Sequence, residues 1–241
     1  MHHQDAQPIV AHQPAAGRVG IVVALGVGAL GILGLAASVY VSMSGQPGLG
    51  LVMAALALWM FVLFLYVLRD AQGKLGWRIE IGTEAVALVL PSGRSLIHRL
   101  SAVDTRIPYD NIEAVETRLE AYRSFGLANM QRSFALRLKD GRLVILGEDR
   151  ALGTRLASSL LEDTVAKIIE RGGMATRDLG MAEGKGGILG VLFTAPPPWS
   201  APSLSNDQQS VLWGRAALTG KIGLVLSLIV GLLAAINSLS N

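Results

Sequence analysis

The sequence predicts α-helical transmembrane spans, a two-helix hairpin plus one C-terminal span, with a β-rich domain of about seven strands and one capping helix inserted between them. Three observations carry this. The 241 residues are 51% hydrophobic and only 16% charged, where a soluble domain averages roughly 25% charged. Of the 21 Lys and Arg and the 18 Asp and Glu, 18 and 16 respectively fall within residues 69–185. Inside that charged stretch the apolar pattern changes from continuous to alternating, the period-two signature of strands.

This partition excludes a uniform soluble globule, a disordered chain and a collagen-like repeat. Cysteine is absent, which removes disulfides, thiolate nucleophiles and Cys-ligated metal centres. The net charge is only +3 and no dense basic stripe stands out, so nucleic acid is not an expected partner. The expected partners are the lipid bilayer and other membrane proteins or a second copy of the chain; no small-molecule substrate or cofactor is indicated.

Residues 19–41 and 48–68 contain no Asp, Glu, Lys, Arg or His. A bilayer core of roughly 30 Å takes about 20 such residues per helix, and the short Gly- and Pro-containing turn 42–47 joins the two runs as a hairpin. The first run exceeds the apolar core of about 7–15 residues typical of a cleaved signal peptide. A third apolar run, 222–236, reaches spanning length over 216–237 if Lys221 snorkels toward headgroups. It is apolar all round, unlike a surface helix. Gly223, Ser227, Gly231 and Ala235 recur there at every fourth position, and Gly20, Ala24 and Gly28 do so in the first run. Such stripes let helices approach closely, although apolar spans are rich in Gly and Ala in any case.

Arg69, Lys74 and Arg78 follow the second run, and the hairpin turn carries no basic residue. The positive-inside rule then places the N-terminal tail 1–18 and the central domain on the cytoplasmic side, with the hairpin turn and the C-terminus on the opposite side.

In the central domain, 77–171, strands are expected at 77–81, 85–90, 95–100, 112–121, 134–138 and 143–146, with turns at Pro91-Ser92-Gly93-Arg94 and Lys139-Asp140-Gly141-Arg142. An amphipathic helix over 154–171 presents Leu156, Leu160, Leu161, Val165, Ile168 and Ile169 on one face, with Thr154 placed as N-cap and Gly172-Gly173 as stop. These elements predict a β-sandwich or partly open barrel with the helix over one end. Residues 174–214 read as a flexible linker or an interfacial segment anchored by Phe193 and Trp199.

The run Ile107-Pro108-Tyr109-Asp110-Asn111-Ile112-Glu113-Ala114-Val115 resembles the Ile-Pro strand-opening motif of bacterial pleckstrin-homology-like (PH-like) domains. The Lys-Asp-Gly-Arg hairpin, the closing helix and the preceding two-helix hairpin fit the same layout, over about residues 50–171. The C-terminal span departs from the simplest members. The resemblance implies a non-enzymatic, membrane-anchored module for protein interaction or assembly. The alternative is a structural auxiliary subunit of a larger inner-membrane complex.

Enzyme constellations are hard to find. His2, His3 and His12 lie in the polar tail, and His98 stands alone in the domain, whereas base catalysis needs a positioned partner. The Gly184-Lys185-Gly186-Gly187 stretch lacks the Lys-Ser/Thr pair that opens a helix after a phosphate loop. The candidate partner- or headgroup-binding residues are Arg118, Tyr122, Arg123, Phe125 and Arg132, in or beside a segment, 121–132, expected to connect two strands. Aromatic and Arg side chains are favoured at such contacts, although Phe125, Leu127 and Met130 could equally tuck into the core.

Overall fold

The computed structural model describes residues 8–95, 97–124, 127–150, 159–187 and 194–239. The chain divides into two compact units, Met1–Ile107 and Pro108–Asn241.

In the first unit, strand β1 (Ile9–His12) leads into helix α1 (Pro14–Met43), then helix α2 (Pro47–Gly76), then strand β2 (Arg78–Ile81). Each helix begins with a proline in its first turn, where a missing N–H costs nothing. Gly45, at φ +89°, makes the turn between them. Both helices have 30 residues, about 45 Å at 1.5 Å per residue, and are long and apolar enough to cross a membrane. Strand β1 pairs antiparallel with β2, Ile9 opposite Ile81 and His12 opposite Arg78. The His12 ring Nδ1 also lies 3.0 Å from the Trp77 carbonyl oxygen. Part of the expected polar tail is thus a sheet strand; four residues are too few to show an alternation in sequence. Strands β3 (Ala85–Leu90) and β4 (Val103–Pro108) complete a sheet of order β1-β2-β3-β4.

The small-residue stripe of α1 faces α2. Ala24 is fully buried. A methyl group added at Gly20 would meet the Ala71 Cβ at 2.8 Å, one at Gly28 the Phe64 ring at 3.1 Å, and one at Gly34 the Ala57 Cβ at 3.2 Å. The two helices approach this closely because there is nothing but hydrogen at these positions. The outward positions Val19, Val22, Leu25, Ile32 and Leu33 are exposed.

Within the expected strand at 95–100, the described residues 95 and 97–100 are not in a strand. Residues Ser92–Arg94 make a 3₁₀ turn, and the Ser95 hydroxyl accepts from the backbone N–H of Ile97 (3.2 Å) and of His98 (2.8 Å). A serine side chain that captures its own following amides offers the backbone an alternative to the ladder. The pairing strand is β4, whose sequence Val-Asp-Thr-Arg-Ile-Pro buries only Ile107 and so shows no alternation.

The second unit contains β5 (Ile112–Ser124), β6 (Leu127–Leu138), β7 (Leu143–Arg150), helix α3 (Leu160–Gly172), β8 (Ala175–Gly184) and helix α4 (Asn206–Leu239). The sheet order is β7-β6-β5-β8, with β8 parallel to β5. The segment 121–132, expected as a connection, is instead the paired end of one long hairpin: Ala121 lies opposite Met130 and Ser124 opposite Leu127. Helix α3 starts at Ser159, whose hydroxyl accepts from the Glu162 N–H; the expected N-cap Thr154 lies outside the described residues. The Ser-Leu-Leu-Glu spacing at 159–162 carries the capping signal. Gly173, at φ +57°, ends the helix as expected.

The stretch 174–214 differs most from expectation. In place of a flexible linker it supplies β8, a bridge between Lys185 and Ala195, and the first turns of α4. Parallel addition to a neighbouring strand ordered residues whose Gly-rich composition had favoured disorder. Gly184, opposite Tyr122 in the register, leaves no room for a side chain against the tyrosine ring. Leu212 and Ala216 of α4 are buried with Ala121, Ala128, Met130 and Met181. The Thr219 hydroxyl receives the Ala128 N–H at 3.1 Å and donates to its carbonyl at 3.0 Å.

Gly20→Leu should overpack the α1–α2 contact and destabilise the hairpin by about 1–3 kcal/mol. Gly26→Leu should be neutral, since a Cβ there meets nothing within 4 Å. Unfolding of both variants in detergent measures the difference.

Candidate functional site

Strand β5 concentrates the charged chemistry of the second unit. Side chains alternate across a strand, so Glu116, Arg118, Glu120 and Tyr122 share one face. Leu119 and Ala121 take the other, against α4. All four polar members of the row are buried, which demands full partnering.

Glu120 obtains it from three side chains. Arg118 donates from Nε at 3.2 Å and from Nη2 at 2.5 Å, Tyr122 from its hydroxyl at 2.6 Å, and Gln131 from Nε2 at 2.9 Å. Gln131 Nε2 also reaches the Glu148 carboxylate at 3.0 Å. Burial, and then the adjacent Glu120 carboxylate, push the Tyr122 phenol far above its ordinary range, so it acts as a donor throughout. Arg118 gives two further donors to carbonyls, Pro198 at 2.6 Å and Pro197 at 3.1 Å. Its guanidinium also stacks 4.4 Å from the centre of the Trp199 ring.

The Pro196-Pro197-Pro198-Trp199 run is therefore a strap across β5. The backbone pair Lys185–Ala195, with both hydrogen bonds at 2.9 Å, closes it on the β8 side. Trp199 Nε1 donates to Glu116 at 2.6 Å. Arg137 grips the same carboxylate with two bonds of 3.1 and 2.9 Å, and Arg177 lies 3.8 Å away. Burial raises the Glu116 carboxyl, but the bonds from Arg137 and Trp199 and the charges of Arg137 and Arg177 outweigh it and hold it below the ordinary carboxylate range.

The sheet separates the residues expected to act together. Arg118 and Tyr122 lie on the charged face, buried and internally bonded, and are not available to a partner. Arg132 lies opposite Leu119 on the helix face, where it pairs with Glu162 at 3.2 Å. Arg123 also keeps an exposed guanidinium, paired with Glu183. Phe125 and Phe193 lie outside the described residues, and Met130 belongs to the core. Gly223, Ser227, Gly231 and Ala235 fall at four-residue intervals along α4, and their surroundings lie outside the described residues. His98 is buried within the turn capped by Ser95. Among the described residues no group of three or more His, Asp or Glu is placed to hold a metal.

Sequence reasoning missed Glu116, Glu120 and Gln131, and it named Trp199 as an interfacial anchor rather than as the partner of Arg118 and Glu116. The signal was present as Glu-x-Arg-x-Glu at period two inside a strand, which places opposite charges side by side on one face.

No family model, curated protein or solved structure matches the chain.

Arg118→Met should cost about 3–5 kcal/mol in denaturant unfolding, because it strands a buried carboxylate. Trp199→Phe, which keeps a ring but loses the donor to Glu116, should cost about 1–2 kcal/mol. The depressed Glu116 carboxyl contributes stability fully above the ordinary carboxylate range, and this is lost as pH falls through its lowered value. The Ala195 amide, bonded to the Lys185 carbonyl, should lose protection relative to its intrinsic exchange rate on acidification, and Glu116→Gln should remove that pH dependence.

Proposed function

We propose that this chain is a membrane-anchored, PH-like interaction module whose apolar helices hold a β-rich docking surface close to membrane partners. One observation carries the reading: β1, just before α1, pairs with β2, just after α2. The two long apolar helices leave one sheet and return to it. A hairpin crossing the bilayer twice places both strands on one side, and the pairing closes its base.

The absence of ionisable residues from 19–41 and 48–68 supports an anchor rather than an ion or proton path. The basic residues Arg69, Lys74 and Arg78 after the second run favour a cytoplasmic sheet in a bacterial inner membrane. In this reading α4 forms a third span. Its first half is occupied by the sheet through Leu212, Ala216 and Thr219, and the uncharged run 222–236 that follows enters the bilayer. Tethering raises the local concentration of the module at its partners, which increases occupancy without stronger contacts. Arg123, near the far end of the β5–β6 hairpin, and the Arg132 side chain on the helix face are the surfaces offered to a partner, and Phe125 is proposed to act with them. Arg118 and Tyr122 act beneath them as framework. The Ile107–Val115 run and the Lys139–Arg142 turn support the PH-like assignment, with β8, parallel to β5 after α3, as an addition to that layout.

The chain should remain in the membrane pellet after an alkaline carbonate wash; its release would remove the anchor. Because the protein has no cysteine, Gln46→Cys gives a single probe, labelled only from the periplasmic side if the orientation is right. Mild solubilisation should recover a partner that Arg123→Glu combined with Arg132→Glu loses while the fold persists. Unchanged recovery would overturn the docking surface, and a fixed stoichiometric complex insensitive to these changes would mark a structural subunit instead.

A further inference from the structure

We propose that the first unit carries a binding site for the phosphate of an anionic lipid headgroup, in a cleft of about 410 Å³ between the end of α2 and residues 91–101. The inference rests on the membrane-anchored reading for its source of ligand and on the cleft itself for its chemistry.

The cleft exists because two backbones touch. Gly73 of α2 packs against the Gly93 carbonyl of the 3₁₀ turn, with no space for a Cβ at Gly73. This contact sets the turn directly on the helix and leaves a concave floor. Arg94 ties the lining together: its Nη1 donates to the Pro91 carbonyl at 2.9 Å and the Ser101 carbonyl at 2.8 Å, both residues of the cleft. Burial lowers its pKa to about 10, so it remains a cation at neutral pH and keeps the lining joined.

The polar side chains of the lining all offer donors. Arg69 and Arg99 bring two exposed guanidinium groups, Gln72 an amide, and Ser92 and Ser101 hydroxyls. No carboxylate is among the described residues that line the cleft. The nearby Asp70 is held at 2.6 Å by Lys74. Arg69 makes one long bond, 3.5 Å, to the Ser95 carbonyl, which engages one of its five N–H donors. Planar guanidinium forks beside hydroxyl donors suit a tetrahedral oxyanion. Position supplies the source. Arg69 is the first charged residue after the 21 uncharged residues of 48–68, which sets the cleft at the depth where lipid phosphates lie.

The test uses the full chain in mixed phosphatidylcholine–phosphatidylglycerol bilayers, extracted mildly and read by native mass spectrometry for retained lipid. The native chain should retain phosphatidylglycerol preferentially. Arg69→Gln with Arg99→Gln should lower that retention about thirtyfold, following the attraction of two basic groups near the surface. Ser92→Asp, which puts a carboxylate at an exposed position of the mouth, should also lower it. Both sets of changes lie on exposed side chains, and circular dichroism checks that the fold is kept. Equal retention by the variants overturns the site. Displacement of the lipid by inorganic phosphate at matched concentration overturns the lipid as the source and assigns a soluble phosphate. Failure of the anchoring reading is seen separately, as release of the native chain by the carbonate wash.

Discussion

Strand β5 must satisfy two unlike environments at once, and most of the second unit follows from how it does so. On one face, Glu116, Arg118, Glu120 and Tyr122 are out of contact with water. A lone buried charge would cost several kcal/mol, so each needs partners from outside the strand. β6 supplies Arg137 and Gln131, the latter also bonded to Glu148 of β7, and the Pro197-Pro198-Trp199 strap supplies two carbonyls, an indole donor and a ring face. On the other face Ala121 and Leu119 need apolar cover, which Leu212 and Ala216 of α4 provide. The strap and the start of α4 lie in a segment whose own composition carries little structural preference. The demands of β5 on both sides give that segment its order.

The first unit depends on a different constraint, the close approach of backbones. Gly20, Gly28 and Gly34 let α1 lie against α2, and Gly73 lets the turn at Gly93 lie against the end of α2. These contacts owe their stability to dispersion over a long interface rather than to polar pairing. The serines Ser38 and Ser42 bond back to carbonyls of their own helix at 2.7 and 2.8 Å, so they add no polar link between helices. The β1–β2 ladder then joins the ends of the hairpin at the sheet.

What was legible in the sequence was local or periodic. The two long helices follow from uncharged runs, the Asp-Gly turn at 140–141 from its dipeptide, and the end of α3 from Gly173. The stripe Gly20, Ala24, Gly28 was visible as spacing, but abundant Gly in any apolar span made its meaning ambiguous until α2 was seen against it. Strands β1, β4 and β8 were not legible. One is four residues long, one buries a single side chain, and one is Gly-containing and ordered by parallel pairing. The described residues of the strand expected at 95–100 stay out of a ladder because Ser95 bonds its own following amides. The candidate site residues were read as one cluster because they are close in sequence, and the two-residue period then sends them to opposite faces.

By itself the sequence determined the partition into apolar helices and a charged, β-rich remainder, because uninterrupted hydrophobicity and alternation are properties of neighbouring residues. It also determined that Glu116, Arg118 and Glu120 share a side, since strand geometry leaves no other choice. Only the tertiary structure decided which side is enclosed, that Trp199 lies against Arg118 from a position 81 residues away, and that Arg69 and Arg99 face one cleft. Burial and long-range pairing depend on which elements meet. Energies of a few kcal/mol spread over many distant contacts settle that, and they leave no mark in the local order of residues.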